Sequence, residues 1–230
     1  MLEIPTESRF EIKYICNKVY YKSLINWIRL NKFNFTKEYP FRKVNNAYFD
    51  NHFYDNYKSN VYGISSRAKF RLRWYDKLES CDTSVFEIKY KRNMYGWKKK
   101  FVLKDPIIFS KKKWKDQIKT LNDNLPKKLK LFFQNYSSPV IINSYIRDYF
   151  VSFDKKVRIT LDKSHFVYDQ RHSPTINLKY KYSSPEFIVM EVKFDRKDVD
   201  IANSFAKTIP MLQSKNSKYC SAKGNIDNLD

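Results

Sequence analysis

Apolar and charged residues alternate along six segments of the chain, which is the pattern of β-strands with one apolar and one charged face. In these segments Phe, Ile, Tyr, Leu, Val, Met or Trp recurs, and charged residues, mainly Arg, Lys and Glu, take most of the positions between. The six segments are 9–14, 69–74, 86–91, 145–149, 157–162 and 188–193. Because the side chains of a strand switch faces at every residue, each set of charges lies on one face of its strand.

Four further segments space their apolar residues as an amphipathic helix does. The predicted helices cover 19–30, 111–121, 126–133 and 201–212. Pro126 suits the first position of the third helix, whereas Pro210 should end or kink the fourth. The chain has no linker, repeat or low-complexity segment, so the sequence predicts a single domain over residues 1–230.

The strand pattern leaves two arrangements open. An ordinary antiparallel sheet with its charged face in water explains any one strand. Solvated faces usually mix Ser, Thr, Asn and Gln with their charges, however, and these six rows hold mainly Arg, Lys and Glu. The other arrangement is a closed sheet with the charges inside and the apolar faces packed outside against the helices. Eight strands would leave an interior wide enough for one small ligand.

The net charge indicates an anionic partner but does not identify its class. The formal net charge is +21, which favours phosphate compounds, nucleic acid or acidic lipid alike. The three glycines, at positions 63, 96 and 224, exclude a glycine-rich phosphate loop. Any bound phosphate must therefore be held by side chains.

Other features narrow the class of protein. Three widely spaced cysteines without a CxxC pair argue against a disulfide framework and for a reducing compartment. No signal peptide and no run of roughly 20 apolar residues is present, so we expect a cytoplasmic protein.

The three histidines lack metal-ligand spacing and are interpreted as surface or structural residues. The lysine runs 98–100 and 111–113 are interpreted as solvated faces that could guide an anionic chain.

If the strands close, a large set of cations converges inside. Its members are Lys13, Lys69, Arg71, Arg73, Lys89, Lys91, Arg147, Arg158 and Lys193. Their repulsion would be severe without anions, and Glu11, Glu87, Asp162 and Glu191 offset only part of it. A chain of phosphates is the natural complement, because arginine offers paired donors and lysine a compact charge. Carboxylates and phosphates together also bind Mg²⁺ or Mn²⁺, and such a set supplies what phosphoryl transfer needs.

Eight motifs, in this order along the chain, resemble the vacuolar transporter chaperone (VTC) domain. They are RFEIKY at 9–14, AYFD at 47–50, RAKFRLRWY at 67–75, FEIKYK at 86–91, YIRDYF at 145–150, VRITLD at 157–162, MEVKF at 190–194 and SKNSKY at 214–219. This domain is part of the triphosphate tunnel metalloenzyme superfamily, which is related to CYTH domains. The resemblance implies an α+β fold with a closed antiparallel β-barrel of about eight strands, a basic tunnel and helices outside. It also implies synthesis of polyphosphate from ATP, with release of ADP and dependence on Mn²⁺ or Mg²⁺.

The resemblance assigns roles to individual residues. Phosphate contacts are implied for Lys13, Arg71, Arg73, Lys89, Arg147, Arg158, Lys215 and Lys218. Tyr145 and Ser217 would add hydrogen bonds, and Glu191 would hold the metal. Further candidates in the same lumen are Lys69, Lys91 and Lys193 for substrate, and Glu11 and Glu87 for metal. From its pattern alone, segment 215–219 is predicted to be a polar tail.

Three functions are compatible with these residues. The first is a polyphosphate polymerase, and the second is a triphosphatase in which water replaces the phosphate acceptor. The third is a non-catalytic module that binds polyanions or nucleic acid. The aromatic residues alternate opposite the charges, which makes base stacking beside phosphate contacts awkward, so no specific nucleic acid is expected. The family's inositol-phosphate-sensing SPX domain and membrane helices do not occur in this sequence, which predicts a stand-alone or excised catalytic domain.

Overall fold

A computed structural model of the chain describes residues 4–103, 107–109, 113–183 and 186–227. Within these ranges the chain forms eleven strands and six helices. The strands are β1 (Arg9–Asn17), β2 (Thr36–Asp50), β3 (Ser66–Tyr75), β4 (Ser80–Cys81), β5 (Ser84–Arg92), β6 (Tyr95–Leu103), β7 (Ile107–Ile108), β8 (Ser138–Val151), β9 (Val157–Asp169), β10 (Lys181–Ser183) and β11 (Phe187–Asp195). The helices are α1 (Tyr21–Leu30), α2 (Asp55–Val61), α3 (Trp114–Asn124), α4 (Lys127–Gln134), α5 (Val199–Ala206) and α6 (Lys218–Asp227). The predicted α+β class is confirmed.

Eight of the strands form a ring. Their order is β9, β11, β1, β6, β5, β3, β2 and β8, and β8 pairs again with β9. Every pairing in the ring is antiparallel. The junction of β1 with β6 is short, because it consists of Arg9 opposite Gly96 and Phe10 opposite Tyr95. Strand β10 extends the sheet beside β9, and β4 pairs with β7 separately.

The charged faces of the strands point into the ring. Arg73 on β3 reaches Tyr145 on β8, and Lys89 on β5 reaches Glu11 on β1. In both cases another strand lies between the two that carry the contact, so the side chains meet across the interior. The alternative of a single sheet with its charged face in water is therefore wrong for these strands. We call this charged inner surface the ring interior.

The apolar faces of the strands pack outward against the helices. On one side Phe70 and Phe86 lie in a cluster with Trp114 of α3 and Phe133 of α4. On the other side the strands β1, β9 and β11 share a cluster with Leu24 and Ile28 of α1 and Phe205 of α5. Each fully buried side chain of this size contributes about 1.5–3 kcal/mol relative to an exposed one. The two clusters pack against the ring from outside.

The predicted helices agree with the structure except at some ends. Helix α1 follows a short 3₁₀ turn at Lys18–Tyr20, and the α3 and α4 predictions are confirmed within a few residues; positions 111 and 112 lie outside the described residues. The fourth prediction is too long, because α5 ends at Ala206. Beyond it the chain becomes extended, and the Ser214 amide donates to the Lys13 carbonyl at 2.8 Å. A helix through position 212 could not reach the edge of β1. No helix in the described part of the chain is long and apolar enough to cross a membrane.

Candidate functional site

One group of charges inside the ring is built around Glu87. The Arg71 Nε donates to Glu87 Oε2 at 2.6 Å, and Lys98 Nζ donates to Oε1 of the same carboxylate at 2.8 Å. Arg73 lies beside them, with its Nε 2.8 Å from Asn46 Oδ1. Burial raises the pKa of Glu87, but Arg71, Arg73 and Lys98 outweigh it and hold this pKa far below the usual value. Glu87 is therefore an anion in the folded chain, and it positions Arg71 and Lys98.

A second group joins β8, β9, β11 and α6. Arg147 donates from both Nε and Nη2 to the fully buried carboxylate of Asp162, and the Nη2–Oδ2 distance is 2.6 Å. Lys218 also contacts Asp162, and its Nζ lies 2.8 Å from Glu191 Oε1. Burial opposes ionisation of both carboxylates, yet the surrounding cations lower the pKa of each below its usual value. The result is an ordered network of two cations and two anions.

A third group places two carboxylates between shared lysines. Lys13 Nζ lies 3.1 Å from Glu11 Oε1 and 3.7 Å from Glu191 Oε1. Lys193 Nζ lies 2.6 Å from Glu191 Oε2 and 3.9 Å from Glu11 Oε2. Lys89 reaches Glu11 at 3.2 Å. Because two lysines touch both acids, Glu11 and Glu191 lie close together.

The segment before and into α6 is not a polar tail, so that prediction is wrong. Tyr219 is buried, stacks on Tyr48 with ring centroids 5.3 Å apart, and donates its hydroxyl hydrogen to Asp50 Oδ2 at 2.7 Å. This docking carries Lys218 into the ring interior. It also brings the Ser217 hydroxyl within 2.6 Å of Lys69 Nζ.

The sequence profile of the VTC domain matches residues 8–223. The chain belongs to the VTC domain family. No curated protein matches the chain in sequence.

Solved structures that resemble this VTC domain share its fold. The PH1819 protein of Pyrococcus horikoshii OT3 is 12% identical, with a TM-score of 0.51 over 96% of this chain and 99% of that one. A Vibrio parahaemolyticus protein, provisionally named an adenylate cyclase, is 10% identical, with a TM-score of 0.52 over 93% of this chain and 96% of that one. At such identities the likeness concerns the fold alone.

Several lysines of the VTC domain ring have lowered pKa values. Burial, together with Lys13, Arg67 and Lys91, lowers the pKa of Lys69 to about 8. Glu11 has the largest influence on Lys89 and raises its pKa, but burial and Lys13 bring it to about 7. Each of these lysines has too little nearby negative charge for its burial. The ring interior is thus more positive than its carboxylates can balance.

Most predicted site residues lie together, and a few lie at the margin. Arg158 is exposed and lies opposite Lys193 in the β9–β11 pair. Lys215 is exposed just before α6, and half-buried Lys91 lies opposite Arg67. The remaining predicted residues contact one another in the three groups above or through the Ser217 and Tyr145 hydroxyls. Within the described ranges, no group of three or more His, Cys, Asp or Glu side chains could hold a metal by itself.

The ring interior also contains residues that were not predicted as site residues. Asn46 accepts the Arg73 hydrogen bond, and Lys98 binds Glu87. Lys98 is exposed, as the interpretation of the 98–100 run expects, but it also binds the buried Glu87 carboxylate. A tight turn at Asn93, which has a φ of 54°, sets the register between β5 and β6. That register places Lys98 opposite Lys89.

Proposed function

We propose that this VTC domain is a metal-dependent polyphosphate polymerase that transfers the γ-phosphate of ATP to a growing polyphosphate chain inside the ring. The observation that carries the proposal is the surplus of inward-pointing lysines and arginines in a closed ring of strands. A linear polyphosphate has a negative charge at every phosphate, so it can neutralise that surplus along its length. Membership of the VTC domain family supports the same class of substrate.

The arginines suit a transferring phosphoryl group because they are held in place before substrate arrives. Arg71 is fixed by Glu87, Arg73 by Asn46 and Arg147 by Asp162. Donors that need no reorganisation are the main source of electrostatic catalysis. In the proposed step a terminal oxygen of the polyphosphate attacks the γ-phosphorus in line. The bond to the β-phosphate oxygen breaks, and ADP leaves with the electron pair.

Glu11 and Glu191 fit a divalent metal. Carboxylate oxygens are the ligands that Mg²⁺ and Mn²⁺ prefer, and one or two protein carboxylates with substrate phosphates suffice. The two acids lie close together, since both contact Lys13 and Lys193. When bound there, the metal would supply charge neutralisation on the phosphates. Glu87 is 3% exposed and committed to Arg71 and Lys98, which favours a positioning role for it.

Product analysis tests the proposal directly. The purified chain is incubated with ATP and Mn²⁺ or Mg²⁺, the products are resolved on a gel stained for polyphosphate, and ADP and orthophosphate are quantified. Long chains with matching ADP are expected. Orthophosphate without chains would identify a triphosphatase, and no turnover with tight tripolyphosphate binding would identify a binding module.

Replacing Glu191 separates an enzyme from a binding module. Glu191→Ala should abolish metal-dependent turnover while tripolyphosphate affinity is retained or increased, because Lys193 and Lys218 each lose one of their carboxylate contacts. Turnover is measured beside calorimetric binding of tripolyphosphate. Glu186→Ala is a matched control, since that side chain is 74% exposed. Equal loss of binding and turnover in a folded Glu191 variant would contradict the proposed metal role.

A further inference from the structure

A cavity outside the three charge groups opens at the rim of the ring. Its volume is about 260 Å³, and it lies between α2, the C-terminal end of α4 and the adjoining ends of β3, β5 and β6. Binding pockets for whole small ligands typically measure about 300–1,000 Å³. The cavity is therefore of a size for one part of a ligand whose remainder lies elsewhere.

Aromatic side chains form two walls of this cavity. Tyr90 and Trp97 are stacked, with ring centroids 5.6 Å apart and planes 18° apart. Phe132 and Tyr136 of the opposite wall meet edge to face at 5.5 Å. Phe132 is 38% exposed, so this wall is open to an entering group. Flat aromatic walls favour a planar ring system, because stacking on them does not depend on sequence or exact register.

A buried amide lines the same cavity without a partner. Asn56 is only 6% exposed, and its Nδ2 has no hydrogen-bond partner within the described part of the chain. Buried polar groups are normally hydrogen-bonded, so such a nitrogen needs an explanation. A base with an acceptor ring nitrogen could receive this hydrogen, as adenine does from asparagine side chains.

Cations connect the cavity with the ring interior. Arg67 and Lys91 both line the cavity and lie opposite each other in the β3–β5 pair. Arg67 lies on the same face of β3 as Lys69, and Lys91 lies on the same face of β5 as Lys89. In each strand the two residues are two positions apart. A ligand seated between the aromatic walls would thus have basic side chains on its path to the phosphate-binding groups.

We propose that this cavity binds the nucleobase of the nucleoside triphosphate whose phosphates pass over Arg67 and Lys91 into the ring. The inference rests on the proposed function and adds where the donor nucleotide is held. A second aromatic group, Tyr39, Tyr75 and Tyr149, is a weaker candidate. The Arg42 guanidinium already covers it, at 4.7 Å from the Tyr39 ring centroid.

The test compares ATP with tripolyphosphate, which has the phosphates but no base. Asn56→Leu removes the amide at similar volume, and Phe132→Ala opens one aromatic wall. Each variant should raise the Kd for ATP about tenfold and leave the Kd for tripolyphosphate unchanged, because a tenfold change is the scale of one lost stacking or hydrogen-bonding contact. Phe153→Ala is the control, since that ring is 81% exposed in a turn at the end of β8.

The outcomes separate this inference from the function on which it rests. Unchanged ATP affinity in both variants, with tripolyphosphate still bound, would overturn the nucleobase site alone. Parallel weakening of both ligands in variants that remain folded by circular dichroism would also overturn it, since the ring itself would then be disturbed. A wild-type chain that binds neither ligand would overturn the proposed function and the nucleobase site together.

Discussion

Two sets of cations share the ring interior in opposite electrostatic states. Burial lowers the pKa of Arg71, Arg147 and Lys218, but the carboxylates beside them outweigh it and raise each pKa above its usual value. Lys69 and Lys89 also line the ring interior, but their pKa values fall to about 8 and about 7. We call the first set the paired cations and the second the unpaired lysines, because Lys69 contacts no carboxylate in the described ranges and Lys89 contacts only Glu11, which Lys13 and Lys193 share. The first set is balanced by the protein itself, whereas the second has a surplus of positive charge that a bound anion would balance.

This difference in charge balance explains how the ring interior can be stable without a ligand and can still bind an anion. A buried charge costs several kcal/mol unless its partners are close and well oriented. Asp162 and Glu191 meet that requirement for Arg147 and Lys218. Polyphosphate would meet it for the unpaired lysines, so part of its binding energy comes from relieving repulsion in the empty ring.

The largest effect on turnover and stability is expected when one of the paired cations is removed. Arg147→Ala should reduce turnover by about 10²–10³, as removal of one transition-state donor typically does. It should also lower the free energy of unfolding by about 2–5 kcal/mol, because the buried Asp162 carboxylate loses its two-point partner. Product formation and urea denaturation measure the two effects. A variant with normal stability would show that Asp162 is satisfied by Lys218 alone.

Removing an unpaired lysine should have the opposite effect on stability. Lys69→Gln and Lys89→Gln relieve repulsion, so the free energy of unfolding should stay constant or rise, while tripolyphosphate affinity falls about tenfold. Calorimetry and urea denaturation of each variant measure both quantities. Lys37→Gln on the exposed part of β2 is the control. Marked destabilisation by either interior variant would remove the distinction between the two sets.

The strands that the sequence predicts are those in which apolar and polar residues mostly alternate. Strand β2 lacks it because Asn45 and Asn46 are both buried and Pro40 interrupts the pattern, and β6 lacks it because Lys98 is followed by two further lysines. Closure could not be predicted from periodicity either, since it depends on which strands meet. The β1–β6 junction, for example, consists of two residue pairs at the start of both strands.

The site shows the same division between local and long-range information. Lys13, Arg71 and Lys89 follow from strand periodicity, because a face is decided within a few residues. Lys218 does not, since its place depends on Tyr219 docking against Tyr48 and Asp50, which lie far away in the chain. The family motif predicts that Lys218 belongs to the site. The docking of α6 explains how Lys218 reaches the ring interior.

The two sets should also differ in their response to pH. Lys69 and Lys89 lose their protons at about pH 7–8 in the folded chain but only near 10.5 when unfolded. From about pH 7 to 9 the unfolded state therefore binds more protons, and the free energy of unfolding should rise with pH. Tripolyphosphate affinity should fall over the same interval, because binding requires the charged lysines. Urea denaturation and calorimetry across this range measure both trends, and a Lys69→Gln/Lys89→Gln double variant should flatten them. A stability that decreases between these pH values would contradict the lowered pKa values.

The smallest predicted effect on anion binding concerns two neighbouring lysines, Lys98 and Lys99. Lys98 binds Glu87 and lies opposite Lys89, so it shares the ring interior, whereas Lys99 lies opposite Ile88 on the other face of β6. Burial lowers the pKa of Lys98 to about 8, the same value as for Lys69, although Lys98 contacts the Glu87 carboxylate. The Lys98 side chain is 38% exposed, so solvent screens much of its interaction with other charges.

Lys98→Ala should weaken tripolyphosphate binding only a few-fold, and Lys99→Ala should leave it unchanged, because a single exposed charge is worth about 0–1 kcal/mol. Equal affinities of the two variants would mean that Lys98 belongs to the scaffold around Glu87 and takes no part in holding the anion.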